Sequence, residues 1–406
     1  MTHRILIVGG GFGGVTVARR LGKQQVPDVE ITVLTDRPWL EYYGVLYRLI
    51  RGAHYSEACI PLPMILPKGV TMTIDRAVAI DAVTKVVQGA KGVVYAYDTL
   101  VVGVGAEPAY FGIPGMKEHS FTVSHAGHAL RLRDDIRAEI EAMRTADPAT
   151  RRTLGRFAVI GAGATGVEMS GDMLHEAQTL AQKNGLDPSL VSVDLIEAAD
   201  RVLPITEPTC SAKTLKRLQS IGVNVLLQTA VESAEKGRLH LKGGRTIEAG
   251  MILWTAGVKA NGLLAGIAGM EFDKRGRVIV DDHLKAKGVS DVFVVGDAAS
   301  TKFAGMAQTA IDDGMFVAKV IAAELAHRTP PTYAPRLPAY AIPAGPNWAA
   351  VKYSFIRAYG VPGYVLRRLA DIHVYMLIMP WRHVHRAFFG TIRFSNYGIP
   401  EPKYTS

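Results

Sequence analysis

Two sets of glycines, each followed by an acid, have the spacing of a binding chemistry. Gly9, Gly11 and Gly14 fall at GxGxxG spacing, and Asp36 comes twenty-two residues after Gly14. Gly161, Gly163 and Gly166 repeat that spacing, and Glu197 comes thirty-one residues after Gly166. Such a pattern suits a diphosphate and a ribose. The first glycine permits a tight turn, the second lets the backbone approach a pyrophosphate, and the third lets a helix pack closely on a strand. The diphosphate then meets free N–H groups at a helix N-terminus, and the acid accepts from a ribose hydroxyl. One such loop also occurs as a plain turn; two, each with its acid, predict two dinucleotides. Glu197 is followed by Ala198 and Ala199. A carboxylate there repels a 2′-phosphate and favours NADH over NADPH; the alternative is an ordinary polar strand end. Cys59 and Cys210 are the only cysteines and form no CxxC pair. They read as structural thiols, with no disulfide framework and no metal site.

These residues need elements to hold them. Ile5 to Val8 is a short apolar run that suits a strand buried on both faces. A helix is expected from about Val15, with Val17, Ala18 and Leu21 on one side, before a second strand in "EITVLTD" that ends at Asp36. The second unit has Phe157 to Ile160 as its strand, a helix opened by Val167, Met169 and Met173, and a strand "VSVDLIE" that ends at Glu197. Its greater length is assigned to a loop, "KNGLDPSL" (183–190). The expectation is an α/β chain with two Rossmann-like dinucleotide-binding units.

The order of motifs resembles the two-dinucleotide flavin oxidoreductases of the pyridine nucleotide–disulfide reductase superfamily. "YDTLVVGVGAEP" (97–108), with Gly105, resembles the segment where the chain leaves the flavin domain. "ILWTAGVKAN" (252–261), with Gly257, looks like the end of the NADH domain, and "DVFVVGDAAS" (291–300), with Asp297, like the second flavin motif. "AQTAIDDG" (307–314) follows as a helix start beneath the flavin. The details look most like type II NADH dehydrogenases, single-subunit NADH:quinone oxidoreductases, in "PWLEYYGVLYRLIRG" (38–52), "GATGVEMSGDM" (163–173) and "LWTAGV".

That resemblance implies a discontinuous FAD domain (1–110 and 273–326), an inserted NADH domain (111–272) and a linker with a C-terminal membrane-associating region (327–406). It implies FAD on Gly9, Gly11, Gly14, Gly105, Asp36, Asp297, Ala307 and Gln308, and NADH on Gly161, Gly163, Gly166, Glu197 and Gly257. Disulfide reductases of the superfamily carry a cysteine pair soon after the first unit, where this chain has "LEYYGVLYRLIRG". Electrons reaching the flavin then leave directly, without a thiol relay. Glu168 matches a family carboxylate implicated in proton handling; it is equally a helix N-terminal acid favoured by the dipole. Gln308 faces the flavin or quinone edge in the family pattern. The family's second glutamine is Asp312 here, beside Asp313. An ionised Asp312 is a costly neighbour for an apolar quinone head unless it is protonated or turned away.

The last part of the chain changes character. "HRTPPTYAPRLPAYAIPAGP" (327–346) reads as an extended connector. From residue 350 onward Lys352, Arg357, Arg367, Arg368, Arg382, Arg386, Arg393 and Lys403 face only two acids, Asp371 and Glu401, in a chain of formal net charge +9. In 361–379, Val365, Leu369, Ile372, Met376 and Met379 recur at helical spacing, and Pro380 stops a continuous helix. The run is too short to span a bilayer. Two readings compete: an amphipathic helix lying on an anionic membrane surface, or one whose apolar face covers the flavin domain. No recognised module accompanies the charge for nucleic acid. With the favoured membrane-surface reading, the resemblance to type II NADH dehydrogenases implies a peripheral NADH:quinone oxidoreductase at the cytoplasmic face of the cell membrane. Its alternatives are a soluble flavoprotein reductase of a small electron-carrier protein, and a flavin-bearing redox sensor. A homodimer stays open.

Overall fold

The two glycine motifs lie in two sheets of the same design. The computed structural model describes residues 2–402; Lys403 lies outside the described residues. From the N-terminus, β1 (His3–Val8) leads through α1 (Phe12–Gly22) to β2 (Val29–Thr35). A short helix α2 (Leu46–Ile50) precedes β3 (Val70–Ile74) and β4 (Thr99–Val102). The chain crosses on β5 (Ala106–Pro108) to β6 (Phe121–Thr122), α3 (Ala126–Ala142) and β7 (Arg156–Ile160). Then come α4 (Ala164–Lys183), β8 (Ser192–Ile196), α5 (Pro208–Ser220), β9 (Asn224–Leu226) and β10 (Met251–Trp254). It returns on β11 (Val258–Ala260) to β12 (Val292–Val294) and α6 (Ala307–Leu325).

The first sheet has the order β12-β4-β1-β2-β3 and the second β6-β10-β7-β8-β9, with every pairing parallel. In each, the strand before the glycine loop is central, and the strand ending at the acid is its neighbour. Fully buried strands such as Thr99–Val102 and Met251–Trp254 explain the unbroken apolar runs in the sequence. The two crossings, β5 and β11, pair antiparallel. Leu264, Ile267 and Met270 already pack with Leu6 and Val8, so the return to the first unit's core is made soon after β11.

Two local expectations are corrected. The first helix begins at Phe12 rather than near Val15, because Gly13 and Gly14 lie inside its first turn where Val295 and the Gly9 carbonyl leave no room for a side chain. The extra length of the second unit lies in its helix: α4 has 20 residues against 11 in α1. Only Pro188–Leu190, a single turn, interrupts the loop that follows.

The C-terminal region is a small sheet followed by two helices. β13 (Tyr340–Pro343), β14 (Ala349–Tyr353) and β15 (Ile356–Ala358) form an antiparallel meander, so part of the connector is paired as a strand. α7 (Val361–Ile378) and α8 (Trp381–Phe388) follow, with Pro380 as the N-cap of α8. Among the described residues, no helix is long and apolar enough to cross a membrane.

Candidate active site

Each glycine loop does what its spacing predicts. Gly9 has φ +113°, and a Cβ there would lie 2.3 Å from the Gly103 carbonyl oxygen. A Cβ on Gly14 would lie 2.2 Å from the Gly9 carbonyl oxygen, so the helix start packs directly on the turn. Gly11, between them, has nothing within 4 Å of a Cβ, which is the open approach a diphosphate needs. The second loop repeats this. Gly161 has φ +97° against Ala256, Gly166 packs on the Gly161 carbonyl, and Gly163 is open. Gly11 and Gly163 are the N-caps of α1 and α4; neither helix has a side-chain cap or an acid in its first turn. The free N–H groups and positive dipole ends therefore point at the open space, and both cradles fit a dinucleotide diphosphate.

The acids stand where the strands end. Asp36 follows β2 and is exposed, with Arg37 Nη2 at 3.3 Å. Arg37 also donates to buried Glu41 at 2.7 Å. Nothing in the sequence marks Arg37 beyond its place directly after the acid. Glu197 follows β8. Its Oε2 accepts from the Ala162 N–H at 2.6 Å and its Oε1 from the Ala199 N–H at 2.8 Å. The carboxylate is thereby fixed in the glycine loop itself, and each oxygen keeps a second lone pair for a hydroxyl donor. Gly257 lies after β10, in the crevice beside Gly161, where an exposed Phe111 (φ +52°) covers it.

Around the first cradle, Gly105 has φ +70° with open space above it. Asp297 lies in the turn Gly296–Ala298, and its Oδ1 accepts from the Gly305 N–H at 3.0 Å. Burial pushes its carboxyl up. Ala307 opens α6, and Gln308 Oε1 accepts from the Ala339 N–H at 3.0 Å, which leaves its NH₂ group available. Asp313 is buried and turned inward. Asp312 is half-buried with no hydrogen-bond or ion-pair partner among the described residues, and burial raises its carboxyl while Arg336 opposes that shift.

Glu168 lies in the second turn of α4 and also lacks such a partner among the described residues. Loss of solvent pushes its carboxyl up to about 8, against the field of Arg367, with Asp172 and Asp371 adding to the rise. One turn on, Asp172 is pushed to about 7 by burial, opposed by Arg51 at 3.2 Å.

Arg367 belongs to a cluster the sequence did not disclose. The face of α7 turned to the protein carries Gly363, Arg367, Asp371, Tyr375 and Ile378. Asp371 is fully buried; it accepts from Tyr42 Oη at 2.8 Å and from Arg367 Nη1 at 2.5 Å, and it pairs with Arg48. Arg48 also bonds Glu57 at 2.9 Å, and Tyr375 Oη donates to the Glu57 carbonyl at 2.7 Å. The outward face carries the apolar residues: Val365 is 51% exposed, Leu369 54% and Met376 51%. The helix is inside-out, so the reading in which its apolar stripe covers the flavin domain does not hold. Two members of the stripe are exceptions: Met379 is buried, and Ile372 packs partly buried against the core.

Cys59 and Cys210 are both buried free thiols, one opposite Glu41 in a short strand pair, the other inside α5.

This architecture matches known proteins. The pyridine nucleotide-disulphide oxidoreductase family model matches residues 3–314, and the chain belongs to that family. Its curated relatives narrow the class. The type II NADH:quinone oxidoreductase Ndh of Mycobacterium tuberculosis is 34% identical over 345 residues, which cover 81% of this chain and 74% of that protein. The type II NADH:quinone oxidoreductase of Staphylococcus epidermidis is 30% identical over 303 residues, covering 73% and 74%. With those relatives, the chain is a member of the type II NADH:quinone oxidoreductases. Its fold is similar to that of NDH2 from Plasmodium falciparum in complex with NADH (TM-score 0.86, 16% identity, 98% of this chain and 99% of that one). It is also similar to the sulfide:quinone oxidoreductase of Aquifex aeolicus (TM-score 0.77, 19% identity, 97% and 96%).

Proposed function

We propose that this protein oxidises NADH and reduces a membrane quinone, with FAD held in the first cradle and NADH in the second. The observation that carries this is the pair of open glycine cradles, with both cysteines buried in structural positions. FAD, when bound, supplies the two-electron carrier between nucleotide and quinone. The chain's own residues bind, orient and handle protons. Gly9, Gly11 and Gly14 admit the FAD diphosphate, Asp36 takes its adenosine ribose, and Asp297 and Gly105 line its path towards α6. Gly161, Gly163, Gly166 and Gly257 admit NADH, and Glu197 takes its ribose. Glu168, neutral at pH 7 with its raised acid, holds a proton at its carboxyl. The free NH₂ of Gln308 donates to a carbonyl oxygen at the flavin or quinone edge. Asp312 is tolerable there because burial favours its protonated form.

In this reading residues 1–110 and 273–326 form the FAD unit, 111–272 the NADH unit, and 327–406 the anchoring region. The inside-out α7 supports peripheral attachment: Val361, Val365, Leu369 and Met376 enter the headgroup boundary, with Trp381 and Phe389 of the following segment and Phe355 at the β14–β15 tip. Arg357, Arg382 and Arg386 meet anionic lipid. The cytoplasmic face is where NADH is supplied. Both cradles and Glu168 come from one chain, so the reaction itself requires no second copy. The test is steady-state NADH oxidation by the FAD-loaded protein with a panel of quinones. Turnover with quinones supports the reading; none with any quinone, alongside rapid reduction of a small iron–sulfur carrier protein, refutes it.

A further inference from the structure

The segment between α6 and β13 has no regular structure, yet it is tied to the first unit at several points. The Tyr333 N–H donates to the Asp282 carbonyl at 2.7 Å, and the Pro331 carbonyl accepts from His283 Nδ1 at 2.9 Å. The Ala339 N–H donates to Gln308. A further tie runs inward. The Tyr333 hydroxyl donates to Asp313 Oδ1 at 2.5 Å, and Asp313 Oδ2 accepts from the Gly296 N–H at 3.0 Å. Asp313 is fully buried. Phe316 packs edge-on against Tyr333 at 5.0 Å between ring centroids, which fixes the direction of the hydroxyl.

Gly296 has φ +68° and opens the single turn that carries Asp297. Its N–H, at the start of a turn, needs an acceptor that neither sheet nor helix supplies, and Asp313 is that acceptor. We propose that Tyr333 is a positioning residue for FAD: acting through Asp313, it fixes the Gly296–Asp297 turn in the orientation that binds the flavin's polyhydroxyl chain. This rests on the reading of the first cradle as the FAD site. The physical demand on Tyr333 is high. Asp313 is pushed up to about 6, first by burial and also by the nearby Asp312 and Asp297 carboxylates, while the Tyr333 and Gly296 bonds hold it down. Without the hydroxyl, one buried carboxylate oxygen has no donor, and the side chain protonates or turns away from Gly296.

The experiment measures the FAD dissociation constant of the full-length chain by flavin fluorescence, after removal and re-addition of FAD. Tyr333→Phe is expected to raise it about tenfold. Asp313→Asn keeps an acceptor for Gly296 and a donor for the Tyr333 oxygen, and stays within about threefold of the parent. Adding Tyr333→Phe to Asp313→Ala costs less than about twofold further, because the path is already cut. NAD⁺ affinity at the second cradle is unchanged in Tyr333→Phe, which general loosening would lower. A Tyr333→Phe constant within about twofold of the parent overturns the proposal and decides the matter even if Asp313→Ala fails to fold. Additive effects in the double variant, or an equal loss of NAD⁺ affinity, overturn it too. A parent chain that binds no FAD refutes the FAD reading instead.

Discussion

Replacing both Val365 and Leu369 with aspartate tests whether α7 lies on lipid. Each residue is about half exposed (51% and 54%), on the face opposite the buried Arg367 and Asp371, so the change removes little internal packing. Burying a whole valine or leucine side chain is worth about 1.5–3 kcal/mol, so the exposed half of each contributes about 1 kcal/mol on entering the apolar boundary. Losing both costs about 2 kcal/mol, a factor of about 30 in vesicle partition. Each new carboxylate near an anionic leaflet adds about 1 kcal/mol of repulsion, which brings the total to roughly 4 kcal/mol, or nearly a thousandfold, at low salt. High salt screens the second part and leaves the first, so the deficit shrinks towards about thirtyfold. The assay is co-sedimentation with vesicles containing an anionic phospholipid, at low and high salt, with NADH-dependent dye reduction as the control for folding. Dye reduction should persist, since the cradles and Glu168 precede residue 327. A variant that partitions within about threefold of the parent at both salts refutes the docking argument.

Five further outcomes follow from the same geometry. Quinone reduction by the parent should decline as pH rises through about 8, where Glu168 loses its proton, and Glu168→Gln should abolish that limb; an identical pH–rate profile in the variant removes Glu168 from proton handling. Because its acid is raised on folding, the folded state binds this proton more tightly than the unfolded chain, so stability declines from about pH 5 to 8 and Glu168→Gln should flatten that slope in urea titrations. Asp371→Ala should cost about 3–5 kcal/mol of unfolding free energy, since it takes the buried carboxylate from Arg367 and leaves Arg48 only Glu57; a loss under about 1 kcal/mol would mean the cluster is solvated. Glu197→Gln should erode the preference for NADH over NADPH in kcat/KM, and equal values for both nucleotides in the parent would contradict the ribose assignment. Cys59→Ser with Cys210→Ser should leave NADH:quinone turnover largely intact, at some cost in stability because both thiols are buried; lost flavin reoxidation with flavin reduction preserved would reveal a thiol relay.

What could be read from the sequence follows from the range of the interactions involved. Gly9, Gly11 and Gly14 act on neighbours a few residues away, and their spacing fixes the turn, the open approach and the helix contact almost by itself. Asp36 and Glu197 were legible because parallel pairing sets the acid-ending strand beside the glycine strand. Nothing local marks Tyr333 or Asp313: the bond between them spans twenty residues and serves a turn seventeen residues earlier than Asp313. The length of α4 was missed for a related reason. "KNG" does stop the helix, with Asn184 as its C-cap and Gly185 at φ +72°, but a stop signal says nothing of how many helical residues precede it, and the excess lies there rather than in the loop.

The inside-out α7 is the sharpest case. Its stripe of Val365, Leu369 and Met376 has helical period, and period alone says that one face is apolar without saying which face is inside. In water the apolar face would normally turn in, because burying arginine and aspartate is costly. Here the charged face turns in because Tyr42, Gly44, Arg48 and Glu57, all more than three hundred residues away, supply partners for Arg367, Asp371 and Tyr375. Those partners offset the burial of the charges, and Val365, Leu369 and Met376 are left about half exposed on the outer face. The same residues that compensate Asp371 also set the field at Glu168. In the proposed function, the surface offered to the bilayer and the carboxyl that would hold the proton are built on one buried ion cluster, so a change that frees α7 from Asp371 should disturb both attachment and the pH dependence of quinone reduction.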